Sequence, residues 1–200
     1  MIISNPIELQ AKKIHGKKSK SRGIWRTLIL RPSEYEQIYS DSTRKYQIIF
    51  SCLLYTGMRY EELKRLMMNP QWIDANGFIH LPADAQKKEK RVDPERWIRL
   101  SYRGREAVKR LYDLRPGELP ASPTIDQYIK RNWPELKTFS MKTFRKTWES
   151  WCVFYFKNPL LVAQSQGHTL LTQFNHYISM PWTEKDRLEM KPHVEGYIES

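Results

Sequence analysis

The sequence predicts a mainly α fold with a small antiparallel β-sheet, an α+β architecture. Three observations predict it. Apolar residues recur at helical spacing through most of the chain after Trp25, two short β-type runs flank one highly charged connection, and no internal repeat is present. At 200 residues the chain is long enough to bury one substantial core.

Residues 1–24 carry Lys12, Lys13, Lys17, Lys18, Lys20 and Arg22 with few core-forming residues. A flexible basic arm is expected there, suited to sequence-independent phosphate contacts. The globular part spans residues 25–200. Pro32 and Ser33 open its first helix, where Ser33-x-x-Glu36 has capping-box spacing. In a longer second helix Ile48, Ile49, Cys52 and Leu53 recur up to Tyr55, and Gly57 supplies a turn before a charged helix from Tyr60 to Met67.

Phe78 to Leu81 and Trp97 to Leu100 read as short strands, joined by a charged hairpin connection from Asp84 through Glu95. Further helices are expected over Arg105–Leu114, Ile125–Asn132, Met141–Phe156 and Leu160–Gln166. Within the third of these, Phe144, Trp148, Trp151 and Tyr155 form one aromatic stripe, which belongs to the core. Gly167 breaks the chain, Thr169 can cap a further short helix, and this places His168 in a turn and Tyr177 near a helix end. Thr183 begins a last helix running toward Met190, which Pro192 is expected to stop.

Lys and Arg total 34 against 22 Asp and Glu, a formal charge of +12, so a polyanion is the expected partner and nucleic acid the first candidate. Cys52 and Cys152 each lie in an apolar helical stretch, which argues against a secreted disulfide framework and for a cytoplasmic, DNA-associated setting. The longest apolar run, around Ile48 to Leu54, is far short of the roughly 20 residues that cross a bilayer, so no membrane is expected. His and Cys show no metal-ligand spacing and there is no Gly-rich phosphate loop, so neither metal nor cofactor is expected.

Cutting DNA without a metal requires a nucleophile, cations on the nonbridging phosphate oxygens and an acid for the departing sugar oxygen. Arginine suits the oxygens because its planar fork donates two parallel hydrogen bonds and stays charged. In Thr56-Gly57-Met58-Arg59-Tyr60-Glu61-Glu62-Leu63 a glycine turn delivers Arg59 to a helix start, where anions are favoured. An isolated arginine there would more often be a surface residue paired with a nearby Glu. Lys142 and Arg145, in Lys142-Thr143-Phe144-Arg145, are three apart, share a helix face and are both expected in its first turn. Cations at that end oppose the helix dipole, which hints at an anion. Tyr177 follows His168 of Gln166-Gly167-His168-Thr169 by nine positions.

These pieces in this order resemble the tyrosine recombinases, or phage integrases, and especially the integrases of archaeal viruses and plasmids, over roughly Leu30 to Leu188. The resemblance implies the tyrosine recombinase catalytic-domain fold. It implies Arg59 as the first catalytic arginine, Lys142 and Arg145 as phosphate-binding ends of the second box, with lysine where most relatives have histidine, His168 as the Gly-His histidine and Tyr177 as nucleophile. The family's hairpin lysine falls among Lys87, Lys88 and Lys90; Lys87 is favoured because Leu81-Pro82-Ala83-Asp84-Ala85-Gln86-Lys87 resembles the lead-in from a strand. His176 beside the tyrosine is excluded as a packing or surface residue.

The implied activity is cleavage and rejoining of double-stranded DNA at attachment sites through a 3′-phosphotyrosyl bond, integrating or excising a viral or plasmid genome, in a synaptic tetramer. Relatives carry an N-terminal helical domain that clamps DNA from the other side, and the stretch before Leu30 is too short for it. Pro181 to Ser200 is a candidate contact to a neighbouring subunit, or else a domain-closing helix. The alternatives are DNA relaxation of the type IB topoisomerase kind, by a monomer, and a catalytically silent DNA-binding regulator.

Overall fold

The computed structural model describes residues 28–85, 95–167 and 180–198. In chain order these form α1 (Pro32–Asp41), α2 (Arg44–Thr56), α3 (Tyr60–Met68), β1 (Ile79–Leu81), β2 (Arg96–Ile98), α4 (Tyr102–Leu111), α5 (Ser122–Asn132), α6 (Met141–Phe156), α7 (Pro159–Gln166) and α8 (Glu184–Val194). Short 3-10 turns at Pro70–Trp72, Ala83–Ala85 and Pro116–Glu118 connect some of them. The expected α+β class is what is seen. The basic arm expected over residues 1–24 lies outside the described residues.

Helix α2 is the centre of the core, buried on every side from Ile48 to Thr56. A helix apolar all round can only be stable when neighbours cover every face. Here α4, α6 and α1 all pack against it. The stripe on α6 behaves as its spacing predicts: Phe144, Trp148 and Trp151 are fully buried, while Tyr155 at the helix end is half-buried beneath the Arg187 guanidinium. Burying such side chains contributes about 1.5–3 kcal/mol each. Trp151 Nε1 donates to the Leu30 carbonyl at 2.8 Å, and Leu30 N donates to Thr147 Oγ1 at 3.0 Å, so the chain entering α1 is fastened to α6 by both polar groups of one residue.

The start of α1 differs from the Ser33/Glu36 capping box expected. Pro32 takes the first helical position, where its missing N–H costs nothing, and this makes Arg31 the N-cap. Glu34 then supplies the carboxylate that accepts from Arg31 N at 2.7 Å. Glu36 turns instead to Arg103, whose Nη1 donates to it at 2.6 Å.

Strands β1 and β2 are antiparallel, with Ile79 opposite Ile98, His80 opposite Trp97 and Leu81 opposite Arg96. Ile79, Leu81, Arg96 and Ile98 face inward; His80 and Trp97 stack on the outer face with ring centroids 4.3 Å apart. The second strand thus begins one residue before the expected Trp97, and its inward position holds an arginine. The hairpin connection over residues 86–94 lies outside the described residues.

Helix α8 starts as expected at Thr183, whose Oγ1 accepts from Asp186 N at 3.2 Å. Pro192 does not stop it; the helix runs on to Val194. The missing proline N–H deprives only the Leu188 carbonyl of its partner, and both residues are on the exposed side, where water can replace it. The opposite side buries Met190, His193 and Val194 against α6, α4 and α1. The segment is therefore a helix that closes this chain's own core. Cys52 and Cys152 are buried free thiols. No helix among the described residues is long and apolar enough to cross a membrane.

Candidate active site

Three helix ends and one strand converge around Gly57. Helix α2 ends there with φ 59°, a left-handed conformation that lets the chain turn back at once. Thr56 Oγ1 accepts from Met58 N at 3.1 Å and holds the turn. Arg59 is then the N-cap of α3, so the glycine turn delivers it to a helix start as its motif predicts. Its backbone N–H donates to Glu62 Oε2 and its Nη1 to Glu62 Oε1, both at 2.9 Å. The Arg59 side chain is 42 % exposed, and the rest of its guanidinium makes no hydrogen bond to a described residue. Arg59 thus has the acidic partner that a surface arginine would have and still presents a donor edge at a helix N-terminus.

Arg145 projects from the second turn of α6, not the first as its motif suggests, and is buried. Its Nη1 donates to the Gly57 carbonyl and its Nη2 to the Gln166 carbonyl, while Nε lies 3.2 Å from Glu149 Oε1. Burial pushes its pKa down, and the carboxylates of Glu149 and Glu62 oppose that push. Arginine keeps its proton at any working pH despite such a shift. Glu149 also takes Lys146 Nζ at 2.8 Å. Lys142, three residues before Arg145, is exposed and makes no hydrogen bond or ion pair to a described residue. The spacing that puts the two on one face therefore leaves one in solvent and sends the other inward.

Three residues join this cluster that the sequence motifs do not single out. Glu62 is buried and holds Arg59 on one oxygen. Its other oxygen accepts from Arg96 Nη2 at 2.6 Å. Burial alone would raise the Glu62 pKa, but Arg96, the Arg59 N–H, Arg145 and the Arg59 guanidinium together hold it below the usual carboxylate range. Arg96, itself buried, also donates Nη1 to the Gln166 carbonyl at 2.9 Å. Gln166 is the third: its carbonyl serves both arginines, and its side-chain Nε2 donates to the Thr56 carbonyl at 3.2 Å.

Signals for two of these exist in the chain. Glu62 stands three after Arg59, the same-face spacing used for Lys142 and Arg145, and Gln166 directly precedes Gly167-His168. Arg96 has only a weak one, a charge at an inward strand position. Gly167 ends α7 in the left-handed region, φ 62°, as its place in the chain suggests. His168, Tyr177 and the hairpin residues Lys87, Lys88 and Lys90 lie outside the described residues.

The cluster can bind an anion: a half-exposed arginine edge lies at a helix start, with the buried arginines Arg96 and Arg145 and the carboxylates Glu62 and Glu149 behind it. No group of His, Cys, Asp or Glu among the described residues could hold a metal ion.

No family model matches this chain, and no curated protein matches it in sequence. Among solved structures it is similar to the Tn1549 transposon integrase bound to circular intermediate DNA, with a TM-score of 0.61 and 17 % identity over 88 % of this chain and 68 % of that one. A second circular-intermediate complex of that integrase gives 0.60 and 18 % over 87 % and 67 %, and a complex with transposon right end DNA gives 0.58 and 17 % over 88 % and 68 %. At such identity the likeness carries the fold: this chain has the tyrosine recombinase catalytic-domain fold.

Proposed function

We propose that this protein cleaves and rejoins double-stranded DNA as a tyrosine recombinase, with Tyr177 as nucleophile. The observation that carries this reading is the convergence of Arg59 and Arg145, distant in sequence, at the Gly57 turn, Arg59 two residues after it and Arg145 donating to its carbonyl, within a fold shared with a DNA-bound integrase. The order of motifs supports the rest.

In the proposed reaction the Tyr177 hydroxyl oxygen attacks the scissile phosphorus, the bond to the 5′-oxygen breaks, and a 3′-phosphotyrosyl bond forms. The tyrosine proton leaves toward His168 or water. The 5′-oxygen takes a proton from Lys87 and departs as a hydroxyl. Arg59 takes a nonbridging oxygen with its exposed edge and Lys142 is a further cation, while Arg145, held by the Gly57 and Gln166 carbonyls and Glu149, adds its charge from behind them. An ordinary tyrosine titrates near pH 10, so it needs this cationic surround to react at neutral pH. Reversal by another strand's 5′-hydroxyl completes the exchange, and since one ester replaces another the DNA sites must set direction.

The proposed substrates are attachment sites of a mobile element brought together in a synaptic tetramer. A viral or plasmid genome as that element, and cytoplasmic action in its host, rest on the sequence resemblance alone. The alternative is DNA relaxation of the type IB topoisomerase kind, which needs no synapsis. The test is to incubate the protein at low salt with labelled, nicked suicide duplexes and look for a denaturation-resistant adduct, beside Tyr177→Phe. An adduct lost in the variant supports the reading, and paired-site synapsis then separates recombination from relaxation. Binding without an adduct favours a DNA-binding regulator or cleavage that depends on a further domain.

A further inference from the structure

We propose that Arg96 is a positioning residue of this site, acting on DNA cleavage through Glu62 and Gln166 without touching the phosphate; this rests on the reading of the site given above.

Its position is unusual for an arginine. Strand β2 alternates, with Trp97 in solvent and Arg96 and Ile98 inward, and Arg96 is 4 % exposed. Taking a guanidinium out of water is costly unless it is paired and hydrogen-bonded. Arg96 meets that requirement with the two groups that hold the candidate phosphate arginines. Nη2 donates to Glu62 Oε2, whose sister oxygen binds Arg59, and Nη1 donates to the Gln166 carbonyl, which Arg145 shares.

Two consequences follow from that geometry. First, Glu62 faces three cations, Arg59 from α3, Arg96 from β2 and Arg145 from α6, so its single charge is divided. Without Arg96 it would fall more completely on Arg59 and Arg145 and reduce the positive field offered to a phosphate. Second, Arg96 lies opposite Leu81 on the paired strand, at the base of the hairpin connection that contains Lys87. It therefore fixes the register between that base, the start of α3 and the end of α7. Lysine could not do the same, since a point-like ammonium lacks the planar fork that reaches a carboxylate and a carbonyl together.

The test compares the parent with Arg96→Met and Arg96→Lys by three measurements: DNA affinity, single-turnover adduct formation at saturating protein, and the Arg59 Nε–H NMR resonance, assigned with Arg59→Met. The expected result for Arg96→Met is a DNA affinity lowered by no more than about threefold, an adduct rate lower by about 100-fold, the scale of a mispositioned reacting group, and a displaced or broadened Arg59 signal. Its rate should also fail at a higher pH on acidification than the parent's, because Glu62 has lost one of its cations. Arg96→Lys should recover about tenfold of the lost rate, and it carries the test should Arg96→Met not fold. Equal losses in affinity and rate, or parent-like rates with an unmoved Arg59 signal, would overturn the proposal. A parent that forms no adduct on any duplex tells against cleavage by this chain alone, and the Arg59 resonance then decides whether Arg96 positions the cluster.

Discussion

Gly57 and Gln166 are in contact at the back of the site, so close that a Cβ on Gly57 would stand 2.3 Å from Gln166 Oε1. The contact joins the end of α2 to the end of α7, with Gln166 Nε2 donating to the Thr56 carbonyl. Because the Gln166 carbonyl also holds Arg96 and Arg145, one residue couples two helix ends to two buried cations.

Gly57→Ala is accordingly expected to be among the more damaging single-methyl additions in the molecule. The left-handed φ of 59° costs a side-chain-bearing residue about 1–2 kcal/mol. The amide end of Gln166 would have to shift within a fully buried place and give up its bond to the Thr56 carbonyl, so the overlap adds about 1–2 kcal/mol, giving about 2–4 kcal/mol in all. Urea unfolding measures it, and a loss under about 1 kcal/mol would show that the corner is slack.

Arg59 and Arg145 should separate activity from stability. Arg59→Ala removes an arginine that is 42 % exposed, so unfolding should change by less than about 1 kcal/mol while adduct formation drops by about 100-fold or more. Arg145→Ala strips partners from Glu149 and from two buried carbonyls, and should cost about 3–5 kcal/mol of stability besides activity. Parallel denaturation and adduct assays check both, and equal stabilities for the two variants would contradict the burial difference.

What could be read from the sequence follows from how local each signal is. The span of α6 and its buried stripe were legible because Phe144, Trp148 and Trp151 report a period that tertiary packing only reinforces. The Gly57 turn and the place of Arg59 were legible because a left-handed helix end favours glycine. The cap of α1 was misplaced because Ser33 and Glu36 satisfy the same spacing as the true pair, and only Pro32 at the first helical position decides between them. Pro192 misleads for a different reason, since the cost of its missing N–H depends on which side of α8 meets water. The roles of Arg96 and Gln166 are non-local: each is defined by a carbonyl or carboxylate far away in sequence, which no spacing rule encodes.

Glu34 should make the protein less stable as pH rises. It is 2 % exposed, its Oε1 has no hydrogen-bond partner, and burial pushes its carboxyl from 4.5 up to about 7 despite the Arg31 N–H and guanidinium. A folded pKa above the unfolded one means that the native state holds the proton more tightly. The stability this gives is complete below pH 4.5 and is lost as pH climbs through 7, by about 3 kcal/mol at most. Glu34→Gln keeps an acceptor for Arg31 N–H and carries no charge, so it should be the more stable form at pH 8 and lose that advantage at pH 4.5. Unfolding free energies at the two values test it, and a pH-independent difference would place the proton elsewhere.

His193 should act in the opposite sense. Arg103 Nη1 approaches His193 Nδ1 at 3.1 Å, and since arginine can only donate, Nδ1 must be the acceptor and the neutral ring must carry its proton on Nε2. Tyr55 Oη is 2.9 Å from the same nitrogen, and the ring packs against Tyr55 and Trp151. A second proton would have to enter at Nδ1, in a buried place and against the Arg103 charge, so burial first and Arg103 second hold the pKa down near 3 from 6.5. The Glu36 oxygen 3.5 Å from Nε2 is therefore not an ion-pair partner at neutral pH. A depressed folded pKa gives stability that is present above pH 6.5 and is lost as pH falls toward 3, about 2 kcal/mol of it by pH 5. Over pH 7 to 5 Glu34 regains a similar amount, so the two groups nearly cancel in the parent and only the single variants reveal either. On acidification from pH 7 to 5 relative to the parent, His193→Asn, whose amide oxygen can still accept from Arg103, should gain about 2 kcal/mol and Glu34→Gln should lose about as much. Chemical denaturation at the two pH values reads both slopes, and variants that shift in the same direction would show that one of the two buried groups is ionised in the native state at pH 5.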